Sequence, residues 1–185
     1  RPRVTIRDTG LPRTRFSAHS HGFLAQDGRP GADILADARR QLAAYETVTF
    51  RTTSAERLEG ERDAFCVVTG DGARIDARRV LLSTGFEDQL PDIPGLSERW
   101  GKTVLHCPYC HGYEVGGGAV GVLARTSEAA RFAAVVADWG DVTLFTNAVP
   151  EPDEKDLAVL EARNVKLRPG RVTAVTDGPG GLPAG

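Results

Sequence analysis

Methionine is absent from all 185 residues, and cysteine and tryptophan are scarce, at three and two. A natural chain starts with Met, so Arg1 at the head predicts that the start of the gene product lies upstream. Three cysteines are too few for a disulfide-stapled framework, and a closely spaced pair among them points to redox or metal chemistry. No apolar run approaches the roughly 20 residues that span a bilayer, and Arg1-Pro2-Arg3-Val4 lacks the apolar core of an export signal. The expected compartment is therefore cytoplasmic. Charge is nearly balanced, 23 Lys plus Arg against 25 Asp plus Glu, which gives no electrostatic reason to bind nucleic acid or an anionic membrane. With 41% apolar residues, the chain suits one medium domain or two small ones, each able to bury a core.

Val4-Thr5-Ile6-Arg7-Asp8 alternates and is β-branched, which predicts a strand stopping at Thr9-Gly10. Residues 10–30 hold Pro12, Gly22, Gly28 and Pro30 and read as a long loop, usually a functional one, with His19-Ser20-His21-Gly22-Phe23 inside it. From 32 to 45, Ile34, Leu35, Ala38, Leu42 and Tyr45 share one face of an expected helix. Further strands are expected at 48–50, 55–58, 64–69 and 78–84. Gly70-Asp71-Gly72 reads as a hairpin turn, and Thr84-Gly85 closes the apolar run Val80-Leu81-Leu82. Pro91, Pro94, Gly95 and Gly101 mark a linker between domains.

The second half repeats the first. Val142-Thr143-Leu144-Phe145-Thr146 resembles Val4-Thr5-Ile6-Arg7-Asp8 at an offset of 138, and Asn164-Val165-Lys166-Leu167 resembles Thr47-Val48-Thr49-Phe50 at an offset of 117. The 21-residue difference lies in the histidine loop of the first copy. Ahead of its Val142 strand, the second copy has a strand at 119–123 and a helix at about 127–139, as a βαβ unit requires. The first copy has neither, so a strand, a phosphate loop and a helix are expected before Arg1. Residues 172–175 read as a strand running into a turn at 176–181 without a return strand, so truncation is expected at both ends.

The sharpest local feature is His106-Cys107-Pro108-Tyr109-Cys110-His111-Gly112. Two thiols three positions apart close a small disulfide ring at modest strain, and a helix start with a histidine beside it raises the thiolate fraction. The same letters spell C-x-x-C-H, the covalent haem pattern, although no export signal and no methionine ligand accompany it. Zinc is a second alternative, with His106, Cys107, Cys110 and His111 as ligands but no distant second pair. A pair of buried thiols without a role is the third. Asp8 ends the first strand, where dinucleotide-binding folds place an acid that hydrogen-bonds a ribose hydroxyl; a turn residue is the plain alternative. Gly116-Gly117-Gly118-Ala119-Val120-Gly121 matches G-x-G-x-x-G but precedes its strand, so it reads as a decoy. Cys66, between Phe65 and Val67 in an alternating strand, reads as a lone buried thiol, and Trp100 and Trp139 as packing residues.

Leu82-Ser83-Thr84-Gly85, Pro91-Asp92-Ile93-Pro94-Gly95 and Cys107-Pro108-Tyr109-Cys110-His111-Gly112-Tyr113-Glu114, in this order, resemble the thioredoxin-reductase-like family of pyridine nucleotide-disulfide oxidoreductases, over nearly the whole chain. The resemblance implies an α/β fold of two Rossmann-like, three-layer ββα nucleotide-binding domains. These are a partial FAD-binding domain at 1–96, lacking its leading βα unit, and an NADP-binding-like domain at 101–185, cut short at its C-terminus and carrying the cysteine pair. It implies that Cys110 faces the flavin while Cys107 exchanges with a substrate disulfide, that His111 replaces the acid of the bacterial reductases as proton shuttle, and that the protein is a homodimer when full length. It places Asp8 on the FAD adenosine ribose, and Thr84, Gly85, His19 and His21 near FAD, with close backbone approach as the reason for Gly85. The family's NADPH loop falls on Ala124, Thr126 and Ala129. Glycines belong at 124 and 126, so a Cβ crowds the turn and a branched side chain blocks the pyrophosphate. Ordinary NADPH binding is thus in doubt, and with it the direction of the reaction. The implied substrate is a thioredoxin-like protein or a small-molecule disulfide or dithiol, and a dithiol oxidase that hands electrons to oxygen is the alternative to a reductase. A non-enzymatic zinc or redox module is the rival from another class. Without a phosphate loop, the 185 residues alone are expected to be inactive.

Overall fold

The structure, a computed structural model, describes residues 2–177; of the turn expected at 176–181, positions 178–181 lie outside them. Two compact units divide it, Arg1–Asp88 and Gln89–Gly185.

In the first unit the alternating run forms β1 (Val4–Arg7), and the amphipathic stretch forms α1 (Gly31–Leu42). The latter stops three residues short of the expected end, leaving Tyr45 62% exposed beyond it. This helix crosses over to β2 (Val48–Arg51), which pairs with β1 in parallel. An antiparallel meander follows: β3 (Ala55–Glu61), β4 (Ala64–Thr69) and β5 (Arg74–Ala77). The Gly70-Asp71-Gly72 turn closes it, with Thr69 N donating to Ala73 O at 3.0 Å.

The strand expected at 78–84 is not formed. The backbone there has no ladder partner among the described residues, and Leu81 and Leu82 are 91% and 66% exposed. An apolar run becomes a strand only where a neighbour takes its N–H and C=O groups. The meander instead takes its third strand from 74–77, an alternating Arg-Ile-Asp-Ala run that sequence reading passed over.

The second unit opens with the segment expected as a linker. It is packed: Leu96 is 2% exposed, and Val175 N donates to Pro94 O at 2.8 Å. Next come α2 (Pro108–Val115), β6 (Gly117–Leu123), α3 (Ala129–Val136), β7 (Gly140–Phe145), α4 (Glu154–Ala162) and β8 (Lys166–Arg168), the three strands forming one parallel sheet. α3 is shorter than the expected 127–139 because turns occupy both ends. Asp153 caps α4 by accepting from Asp156 N at 2.8 Å. Residues 172–175 are not a strand, since single bonds to Asn147 and Pro94 do not make a ladder.

Register tests the repeat directly. Thr5 pairs with Thr49, Ile6 with Phe50 and Arg7 with Arg51. Moved by 138 and 117, these become Thr143 with Lys166, Leu144 with Leu167 and Phe145 with Arg168, which are the pairs the second sheet forms. A one-residue slip would have turned every side chain to the opposite face.

Burial is uneven. Val122, Ala124, Ala130, Ala133, Val136, Val142, Leu144, Leu160 and Val165 form one core between β6, β7, α3 and α4, and among the described residues every buried apolar side chain lies in the second unit. The first unit was expected to bury a core of its own. Its two-stranded parallel sheet leaves Val4 47% and Leu35 46% exposed. Among the described residues no helix is long and apolar enough to cross a membrane.

Candidate redox site

Cys107 has extended backbone (φ −143°, ψ 116°) and caps α2, with Pro108 at the first helical position, where its missing N–H costs nothing. Gly116 ends the helix in the left-handed region at φ +61°. Within the first turn, Cys107 Sγ and Cys110 Sγ lie 2.7 Å apart, both partly buried. The glycine-rich stretch thus serves as a helix stop and the beginning of β6.

Gly112 seats this helix. A Cβ there would stand 2.2 Å from Trp139 Cδ1 and 2.3 Å from its Cγ, so the indole lies directly on the helix backbone. Tyr109, between the two cysteines, meets the same indole edge-on at 5.0 Å between centroids. Sequence reading gave Trp139 a packing role but missed its partner; the signal was a glycine inside a helix, which marks close approach.

His111 is 7% exposed, and its Nε2 is buried without a hydrogen-bond partner. Burial pushes its pKa below the ordinary histidine value, the charge of His106 pushes the same way, and Glu114 opposes both. Both lowering effects favour the neutral form of the imidazole. The His106 ring lies 5.7 Å from that of His111, edge-on, and 5.8 Å from that of Trp100. No group of three or more His, Cys, Asp or Glu among the described residues is arranged to hold a metal ion. Cys66 is half-buried in β4.

In the first unit, Asp8 follows β1. It accepts from Gly10 N at 2.9 Å and pairs with Arg39, and these two contacts hold its carboxyl below the usual range. His19 and His21 sit 6.5 Å apart between centroids. A single antiparallel bridge closes the loop beside them, with Ser20 N donating to Arg29 O at 2.8 Å and Gly28 N to Ser20 O at 2.7 Å. Asp27 lies 3.7 Å from His21 Nδ1. Thr84 and Gly85 are exposed, and Gly85 has φ +71°, a left-handed conformation that glycine adopts without strain.

Where β6 ends, Ala124 is 3% exposed. Ala124, Thr126, Ala129, Thr146, Pro150 and Pro152 are among the residues that line a crevice of about 10 Å³, room for about one water. Asn147, itself left-handed at φ 50°, ties Ala124 to Val172: its Nδ2 donates to Ala124 O at 3.4 Å and its Oδ1 accepts from Val172 N at 3.1 Å.

No family model matches the chain. A thioredoxin reductase of Claviceps purpurea is 39% identical over 104 residues, covering 51% of this chain and 32% of that protein. One of Gibberella zeae is 31% identical over 168 residues, covering 71% and 48%. Among solved structures, an oxidoreductase from Agrobacterium tumefaciens superposes with a TM-score of 0.83 at 42% identity, over 94% of this chain and 59% of that one. The chain belongs to the thioredoxin-reductase-like oxidoreductases. It spans about a third to half the length of these two curated relatives.

As a thioredoxin-reductase-like chain it is a mixed α/β protein with parallel sheets, as expected. The two strand ends that the resemblance marks for dinucleotides differ in the residues they present. At the end of β1, Asp8 offers an ionised carboxylate, the acceptor a ribose diol needs. At the end of β6 the turn carries Ala124 where a dinucleotide loop has glycine, and Asn147 Nδ2 donates to Ala124 O.

Proposed function

We propose that this chain is part of a flavin-dependent thiol–disulfide oxidoreductase whose redox pair is Cys107 and Cys110. The observation that carries the reading is the 2.7 Å approach of the two sulfurs at the start of α2. Cys107 attacks a substrate disulfide, one substrate thiol leaves, and Cys110 then attacks Cys107 to release the second and close the internal disulfide. Run backwards, the same steps oxidise a dithiol. His111, neutral and buried, holds the proton that moves between thiol and leaving group. FAD, with Asp8 on its ribose and His19, His21, Thr84 and Gly85 nearby, supplies two-electron acceptor chemistry when bound. The substrate is a thioredoxin-like protein or a small-molecule disulfide or dithiol, and the full-length protein is a homodimer. Counting thiols with 5,5′-dithiobis(2-nitrobenzoate) before and after mild oxidation tests the pair. Loss of two of the three reactive thiols, abolished by Cys107→Ser or Cys110→Ser, is expected; retention of all three refutes the reading.

Ala124 and Thr126, standing where the family's NADPH loop has glycines, favour the oxidase direction over the NADPH-driven one. Mixing the full-length, flavin-loaded protein with NADPH without oxygen separates the two. A flavin that stays yellow, yet bleaches with a dithiol, is the outcome expected; bleaching by NADPH makes the protein a reductase.

A further inference from the structure

Four histidines occur in the chain, and two of them flank the cysteine pair. His111 lies one helical turn after Cys107, and side chains on a helix lean toward the preceding turn, so His111 leans to the Cys107 end of α2. Its Nε2 is buried with no hydrogen-bond partner, and an unsatisfied buried polar atom of this kind is explained by a role in proton transfer. His106 comes from the segment ahead of α2, backed by Trp100, with its ring edge-on to His111. The titratable groups acting on His111 are His106 from that segment and Glu114 from α2 itself.

We propose that His106 is a positioning residue for thiol chemistry at Cys107: its contact with His111 lets the pair hold one proton at a time and so keeps His111 ready to accept. The inference rests on the redox reading of the cysteine pair. In the step concerned, the Cys107 S–H bond breaks and its proton passes to His111. The Cys107 sulfur forms a bond to one sulfur of a substrate disulfide, the substrate S–S bond breaks, and the departing thiolate collects the proton. Electrons and protons balance within enzyme and disulfide, and no further oxidant enters. Two imidazoles this close titrate as a pair, so His106 sets the pH at which His111 stops accepting.

Imidazole titration by proton–carbon NMR tests the contact without any turnover, the four histidines being assigned by substitution. At 5.7 Å, Coulomb's law from bulk water to a protein-like dielectric predicts a coupling of about 0.5 to 2 pH units. His106→Phe, which keeps a ring against Trp100, and His106→Asn are both expected to raise the His111 midpoint by that amount. Linkage requires His111→Asn to raise the His106 midpoint equally. A His111 midpoint that is the same with and without His106 overturns the proposal. A kinetic arm uses the pH dependence of the first thionitrobenzoate released by Cys107, in a Cys66→Ala, Cys110→Ala background. Its acid limb moves up with His106→Phe by the shift seen in NMR, and an unmoved limb also overturns the proposal. Thiols that never form an internal disulfide, together with intact imidazole coupling, defeat the redox reading and with it the role given to His106, while leaving the contact itself measured.

Discussion

Gly112→Ala is the most informative single change, because it sets a gain in helix propensity against a clash. Alanine in place of a helical glycine returns about 1 kcal/mol. Here the added carbon would lie 2.2 Å from Trp139 Cδ1, 2.3 Å from Cγ and 2.6 Å from Nε1, where ordinary contacts lie at about 3.5–4.0 Å. The indole must retreat by more than about 1 Å. Its backbone resists, since Trp139 N donates to Val136 O and its carbonyl accepts from Gly117 N. Overpacking of this kind costs about 1–3 kcal/mol, and rigid attachment puts this site in the upper part of that range. The expected net loss is about 1–2 kcal/mol, which lowers the urea midpoint by about 0.5–1 M at a typical slope of about 2 kcal/mol/M. Unfolding followed by tryptophan fluorescence measures it, and Trp139→Leu in the same chain is expected to recover part of the loss. A midpoint that stays or rises in Gly112→Ala, with Trp139 emission unchanged, refutes the claim that the indole rests on the α2 backbone.

Leu144→Ala removes a side chain 1% exposed from the one core cluster and is expected to cost about 2–5 kcal/mol in denaturant unfolding; Leu81→Ala, at 91% exposure, is expected to change little. Asn147→Ala loses both side-chain bonds across the β6 end and places a less tolerant residue at φ 50°, so it destabilises by about 1–3 kcal/mol, whereas Asn147→Gly costs less; calorimetry compares the pair. Asp8 has its folded pKa lowered by Gly10 N–H and Arg39, so its contribution to stability is present above the unfolded value of about 3.9 and is lost as pH falls through the lowered folded value. Denaturation curves of wild type and Asp8→Asn at pH 7 and pH 3 are expected to differ more at pH 7, and an equal gap at both contradicts the ion-pair geometry.

Much of the fold was legible because two periodicities survive in the residues. The alternation of Val4 to Asp8 and Val142 to Thr146 gave both parallel strands and the offsets that their ladders obey. The α1 stripe likewise gave the helix, though not its end at Leu42. What escaped depended on neighbours. Val80, Leu81 and Leu82 have strand composition without a strand to pair with, and 74–77 is a short alternating run, half of it charged, that β4 recruits. At the site, the C-x-x-C-H spacing pointed to Cys107, Cys110 and His111, which α2 brings together. Neither the Trp100–His106–His111 contacts nor the Asn147 bridge leaves a pattern in the letters, since both join segments through side chains alone.

The shared ladder register bears on the histidine loop. The connection from β1 to β2 is roughly twice as long as that from β7 to β8, yet both deliver their strands to the same pairing. Chain closure grows so slowly with length that doubling a connector costs only about 0.6 kcal/mol. An insertion between a strand and its crossover helix is therefore a cheap place to host new groups, and a graft of the shorter connector should excise His19 and His21 without disturbing which side chains of β1 and β2 face inward.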